Sequence, residues 1–277
     1  MKYRILLLIV LFAASRFSFA QTDSMPRKIY KVKVKYELPA GILGLAASTI
    51  GYKKLATVSN MSAADVAKLN PNDINSFDRP IAFKDPSKFH SADKTADFFL
   101  NFSIVSPIVL ALDKKIRHDW LDLITLYTVT HTFDNALYFI GTFSVRRPRP
   151  LTYNPKVPIE QKTGDGKSNS FFSGHVGFSS AATFYAVKVY TDYHQIKGWK
   201  RIFFYSVAAI PPALVGYYRM QGGRHFKTDV LVGFLAGGSA GILVPELHRI
   251  KKKHENISFA PYFTPGGTGG LTFAMAF

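Results

Sequence analysis

The 277-residue sequence contains no cysteine, so neither a disulfide framework nor a thiolate metal site is open to it. Acidic side chains are scarce: 18 Asp and Glu stand against 35 Lys and Arg, a formal net charge of +17. Such a balance selects an anionic partner, whether nucleic acid, a membrane surface or a phosphorylated substrate. The basic residues form short clusters between apolar segments and no single stripe with interleaved aromatics, which argues against nucleic acid. No internal repeat is evident. The mean hydropathy of +0.05 is low for a chain made mainly of membrane spans, yet 47% of the residues are hydrophobic, which is high for an ordinary soluble enzyme.

What is there begins with a secretory signal at residues 1–20. Lys2 and Arg4 form its basic start, Ile5 to Ala14 its apolar stretch, and Ser18-Phe19-Ala20 a cleavage site before Gln21. Its apolar run is short for a membrane anchor, the alternative reading. Residues 27–37 alternate Lys31, Lys33 and Lys35 with Tyr30, Val32, Val34 and Tyr36, which predicts a short strand. Residues 39–56 are apolar and small, a weak span or an interfacial helix; 57–95 read as polar loop with a short helix near Ala63 to Leu69. Five stronger helices are predicted at 96–112, 120–142, 173–190, 202–220 and 228–246, each about long enough to cross a bilayer. Gly233, Gly237, Gly238 and Gly241 in the last suit close helix approach. His131, Asp134 and Asn135 must face a protein interior, most simply as a satisfied polar network. The tail from Ile257 to Phe277 reads as a β-hairpin around Gly266 to Gly270.

Charged connectors give the helices a polarity. Lys114, Lys115 and Arg117, then Lys197, Lys200 and Arg201, then Arg249 and Lys251 to Lys253 belong on the cytoplasmic side by the positive-inside rule. Connectors 143–172 and 221–227 then share the opposite face. A cleaved signal implies five spans with 39–56 not crossing, whereas an uncleaved start implies six.

Those two connectors hold three chemical patches. Arg146-Arg147-Pro148-Arg149-Pro150 places guanidinium groups, permanent charges that fork onto phosphate oxygens, at a helix exit stiffened by proline. Alone, such a run is more often a solvated helix cap. Ser173-Gly174-His175 opens a helix: Ser173 suits the cap, Gly174 allows close backbone approach, and the first-turn amides favour an anion. His225 and Asp229 lie four apart, on one face if helical, so the carboxylate is expected to fix one ring nitrogen and leave the other as nucleophile. Arg219 precedes this imidazole across a Gly222-Gly223 turn; the competing reading is an incidental ion pair at a helix start.

Together, in this order, the patches resemble the signature of the type 2 phosphatidic acid phosphatases, which is Lys-x6-Arg-Pro, then Pro-Ser-Gly-His, then Ser-Arg-x5-His-x3-Asp. Arg149-Pro150, Ser173-Gly174-His175, and Arg219, His225 and Asp229 match it, over roughly residues 95–246. The resemblance implies an all-α helical bundle, membrane-embedded with five or six spans, plus the C-terminal hairpin. It implies attack by His225 on phosphorus, orientation by Asp229, and protonation of the leaving group by His175. Arg149, Arg219, Ser173 and Gly174 would hold the phosphate, with no metal or other cofactor. Three positions depart from the pattern: Thr142 for the lysine, Phe172 for the proline and Tyr218 for the serine. Arg146 or Arg147 is the candidate replacement for the lysine, and Arg147 is included among the phosphate ligands on that ground.

The division expected is a signal at 1–20, an N-terminal segment at 21–95, a catalytic core at 96–250, and a basic segment with hairpin at 251–277. The partners implied are a lipid phosphate and the membrane, with the site facing the periplasm of a bacterial inner membrane. Lipid A, undecaprenyl pyrophosphate and phosphatidate are candidate substrates. A non-catalytic binder of anionic lipids and a vanadate-dependent haloperoxidase are the competing readings.

Overall fold

Small residues set a close helix contact. The computed structural model describes residues 28–250, 257–263 and 269–275, so the expected signal at 1–20 lies outside the described residues. Helix α4 (Gly174–Tyr193) and helix α7 (Lys227–His248) run side by side in the same direction. Gly233, Gly237 and Gly241 of α7 meet the backbone of Ser173, Gly177 and Ala181 in turn. A Cβ at Gly237 would collide with the main chain of Gly177, so the approach requires glycine there. Because the helices are parallel and in register, their N-termini lie together.

The other helices bring more charged ends to that place. α2 (Phe89–Val105) is joined to α4 by a Ser179–Ser103 hydroxyl bond of 2.7 Å. α3 (Trp120–Ser144) runs opposite to α4: its Tyr138 packs on Phe172 and Gly174, and the carbonyl of its Leu123 accepts from Tyr185 at 2.6 Å. α1 (Val34–Val58) lies on the outside of α3, with Tyr52 donating to Asn135 at 2.6 Å and Thr132 to the carbonyl of Gly41 at 2.8 Å. α5 (Gly198–Ala208) and α6 (Ile210–Gln221) return the chain from α4 to α7.

The opposite end of the bundle is closed by a charged clasp. Asp192 takes hydrogen bonds from Tyr30 (2.9 Å), Arg201 (3.1 Å) and Lys188. Lys188 also reaches Glu246 at 2.7 Å, and His194 meets Asp113 at 2.7 Å. The basic connectors around Arg117, Arg201 and Arg249 therefore lie away from the end where α4 and α7 begin.

Three expectations need correcting. Residues 27–37 do not form a strand: Tyr30 makes one isolated bridge to Arg249, and α1 begins at Val34 because Glu37 accepts from the Lys33 amide at 3.0 Å. The apolar stretch 39–56 is thus the interior of a 25-residue helix. The helix expected at 96–112 starts at Phe89 and gives way at Pro107 to 3₁₀ turns, Ser106–Leu112. The helix expected at 202–220 is two, divided at Ala209 where Pro211 and Pro212 withdraw backbone donors. Two other expectations agree: a short helix stands at Ala63–Ala67, where Ser62 and Asp65 form a capping box, and the tail forms an antiparallel hairpin, β1 (Ile257–Phe263) with β2 (Gly269–Met275).

The buried trio on α3 is only partly satisfied. Asn135 is bonded to Tyr52, while both ring nitrogens of His131 and Oδ1 of Asp134 lack a hydrogen-bond partner among the described residues. His131 instead stacks on Phe178 and meets Tyr127 edge-on.

Candidate active site

The chain leaves α3 as an extended segment held against residues 167–170. The Arg147 amide donates to the Ser168 carbonyl at 3.1 Å, the Arg149 amide to the Lys167 carbonyl at 2.9 Å, and the Ser170 amide back to Arg147 at 3.0 Å. The Ser173 amide donates to the Asp229 carbonyl at 3.0 Å. Connector 143–172 is thereby fixed to the N-termini of both α4 and α7.

His225 precedes α7 and is 2% exposed. Its Nδ1 lies 2.7 Å from the carbonyl oxygen of Ser170. A carbonyl only accepts, so Nδ1 carries the proton and Nε2 keeps its lone pair. Burial lowers the His225 pKa well below the usual imidazole value, and the positive fields of Arg149 and Arg219 lower it further. The result is a neutral imidazole aimed into a cationic site.

Asp229 does not touch the ring as expected. The spacing of four does not put the two residues on one helical face, because His225 lies outside the helix and Asp229 is in its first turn. The carboxylate caps the helix instead, accepting from the Phe226 amide at 2.8 Å. It also accepts from Ser170 Oγ and from Arg147 Nη1, each at 2.5 Å. Asp229 is thus one residue removed from His225: it holds Ser170, whose carbonyl holds the imidazole.

Arg147 is likewise placed differently from expectation. Its Nη1 serves Asp229 and Thr228, its Nη2 serves Asp78 at 2.8 Å, and its guanidinium lies 4.1 Å from the Phe226 ring centroid. Two buried carboxylates beside a helix start demand a cation, and Arg147 is committed to them. Arg146 donates to Ser59 Oγ at 2.9 Å on the outer side. Neither arginine replaces the missing lysine, and Thr142 itself is fully buried in α3.

The charges of Arg149 and Arg219 act on His225 and on each other. Arg149 Nε donates to Asn169 Oδ1 at 3.0 Å, and burial beside Arg219 lowers its pKa. Arg219 Nη1 donates to Asp93 Oδ1 at 3.1 Å. His175, in the first turn of α4, has Nε2 3.5 Å from Asp97 Oδ1, and Ser173 is buried with no partner for its hydroxyl among the described residues.

Four contributors were not foreseen. Arg224 donates through Nε and Nη2 to Asp93 Oδ2 at 3.0 and 2.7 Å. Asp93 therefore bridges Arg219 and Arg224. Asp78 takes the Thr228 amide, the Thr228 hydroxyl and Asn75 besides Arg147. Burial alone would raise its pKa, but these bonds hold it below the usual carboxylate range. Ser170 is the fourth. Arg224 was visible as a cation beside His225; nothing local marks Asp78, Asp93 or Ser170.

Residues 120–253 match the family model of the PAP2 superfamily. The match covers just under half of the chain and marks that segment as PAP2-like. No curated protein matches the sequence. Two solved structures are similar. A crystal structure of Aquifex aeolicus LpxE aligns over 61% of this chain and 92% of its own, at 20% identity and a TM-score of 0.41. That of the first transmembrane PAP2 type phosphatidylglycerolphosphate phosphatase, from Bacillus subtilis, aligns over 75% and 94%, at 19% and 0.42. The PAP2 match takes in α3 to α7, whereas Asp78 and Asp93 lie ahead of it.

Proposed function

We propose that this chain hydrolyses a phosphate monoester or pyrophosphate of a membrane lipid through a phosphohistidine on His225. One observation carries the reading: Nδ1 of His225 is bonded to the Ser170 carbonyl, which leaves Nε2 unprotonated on a ring that lies in the fields of Arg149 and Arg219. Nε2 attacks phosphorus as the ester P–O bond breaks. The leaving alkoxide takes a proton from His175, and water then cleaves the P–N bond. Arg149, Arg219 and the Gly174 amide balance charge on the equatorial oxygens, the Ser173 amide being taken by the Asp229 carbonyl. Asp229 positions His225 by way of Ser170.

Membrane residence has separate support. Pro86–Leu112 and Lys227–His248 are long and apolar enough to cross a bilayer. Outward-facing Ile108, Leu112, Ile140, Ile202, Leu235 and Leu247 are each more than half exposed. In this reading the bundle crosses a bacterial inner membrane with five or six spans, the basic connectors cytoplasmic and the site facing the periplasm. The substrate is then a lipid phosphate of the lipid A, undecaprenyl pyrophosphate or phosphatidate type.

The test is phosphate release from these three lipid classes by the purified chain in detergent. Wild type should turn over at least one, and His225→Ala should lose at least a thousandfold in kcat, in line with removal of a covalent nucleophile. Equal behaviour of wild type and His225→Ala on every lipid would sink the proposal.

A further inference from the structure

Lys167 lies at the edge of the same site on an unusually well-held stretch of chain. The Gly166 amide donates to Ala56 at 3.0 Å, and the amides of Lys167 and Ser168 donate to Ser59 at 2.9 and 3.0 Å. Gly164 and Met61 exchange two further bonds, and Gly164 and Gly166 take positive φ of 92° and 69° to make the turn. On its other side the Lys167 carbonyl accepts the Arg149 amide at 2.9 Å. The residue is therefore anchored to the end of α1 and directly to the arginine of the site.

Its charge is unspent. Lys167 is half-buried and forms no ion pair among the described residues, whereas neighbouring Arg146, Arg147, Arg219 and Arg224 all have partners. Burial together with the fields of Arg224 and Arg149 lowers its pKa. Half-buried Lys162, one turn of chain away, feels burial alone. Lys167 and Arg149, tied to each other through the backbone and neither holding an ion pair among the described residues, make a site that an anion completes; Arg224 is already held by Asp93.

We propose that Lys167 is a further substrate-binding residue, donating from the 164–170 loop to the phosphate held by Arg149 and Arg219. It occupies the role left empty by buried Thr142, from a different part of the chain. The inference rests on the phosphate-site reading of Arg149, Arg219 and His225.

The experiment titrates inorganic phosphate calorimetrically into the full chain in detergent micelles. Lys167→Met should weaken phosphate about tenfold or more, the scale of one charge-assisted hydrogen bond. Lys167→Arg should stay within about threefold of wild type, and Lys162→Met should leave binding unchanged. On wild type, phosphate should slow reductive methylation of Lys167 and not of Lys162, a readout that needs no variant to fold. Binding by Lys167→Met within twofold of wild type, or methylation of Lys167 indifferent to phosphate, overturns the assignment. Lys167-dependent phosphate binding by a chain that cleaves no ester would overturn the hydrolase reading alone.

Discussion

The ring of His225 is held by Ser170: Nδ1 donates to the serine's main-chain carbonyl at 2.7 Å, and the same serine's hydroxyl donates to Asp229 at 2.5 Å. Tautomer and carboxylate are thus coupled through one residue. Ser170→Ala keeps the carbonyl, so kcat should fall less than about tenfold, while Asp229→Ala removes the acceptor of three donors and should cost about a hundredfold or more. Steady-state kinetics of the two variants measures the difference, and a larger loss for Ser170→Ala would contradict the coupling.

The pH dependence follows from the lowered His225 pKa. Burial and the neighbouring arginines keep the ring neutral below its usual titration range, so the acid limb of kcat/KM should lie well below pH 6.5. Arg149→Met removes one of the fields and should move that limb upward. For stability the sign is the same: the unfolded chain takes up a proton below about pH 6.5 that the folded site refuses, so stability is lost as pH falls through that value. A pH series of kcat/KM and of thermal midpoints checks both.

Arg147 is expected to behave as a structural cation. Its removal leaves Asp78 and Asp229 buried without their partner, and should destabilise by about 3 kcal/mol, the scale for breaking a buried pair. Arg146→Ala, whose side chain is outside that pair, should change stability by less than about 0.5 kcal/mol. Thermal unfolding in one detergent separates the two.

Asp93 occupies Arg219 and Arg224 before any phosphate arrives. Asp93→Ala should therefore bind inorganic phosphate several-fold more tightly, because the competing anion is gone. The unliganded variant should melt lower, since two cations lose their partner, and added phosphate should restore more of its midpoint than it adds to wild type. Equal phosphate affinity in both proteins would contradict this role.

Gly237 admits no side chain without moving the backbone of Gly177. Gly237→Val should separate α4 from α7, destabilise by about 1–3 kcal/mol or more, and misplace Ser173 relative to Asp229, with loss of turnover. Gly238→Ala, where a Cβ meets only the Phe184 ring at 3.7 Å, is the tolerated control.

Much of this was legible locally. Spacing, helix-start chemistry and proline placement singled out Arg149, Ser173, His175, Arg219 and His225, and periodicity located the main helices, because each signal lies within a few turns of chain. The charge of the connectors separated the ends of the bundle for the same reason. What the tertiary structure decided is how the charges are shared. Arg147 and Arg149 are two residues apart with the same chemistry, yet one is spent on Asp78 and Asp229 while the other faces the site. Asp93 and Lys167 enter only because α2 packs on α6 and the 164–170 loop is tied to α1. Buried charges must find partners wherever packing brings them, and such partners lie 69 residues away for Asp78–Arg147 and 126 for Asp93–Arg219, a range over which sequence pattern carries no signal.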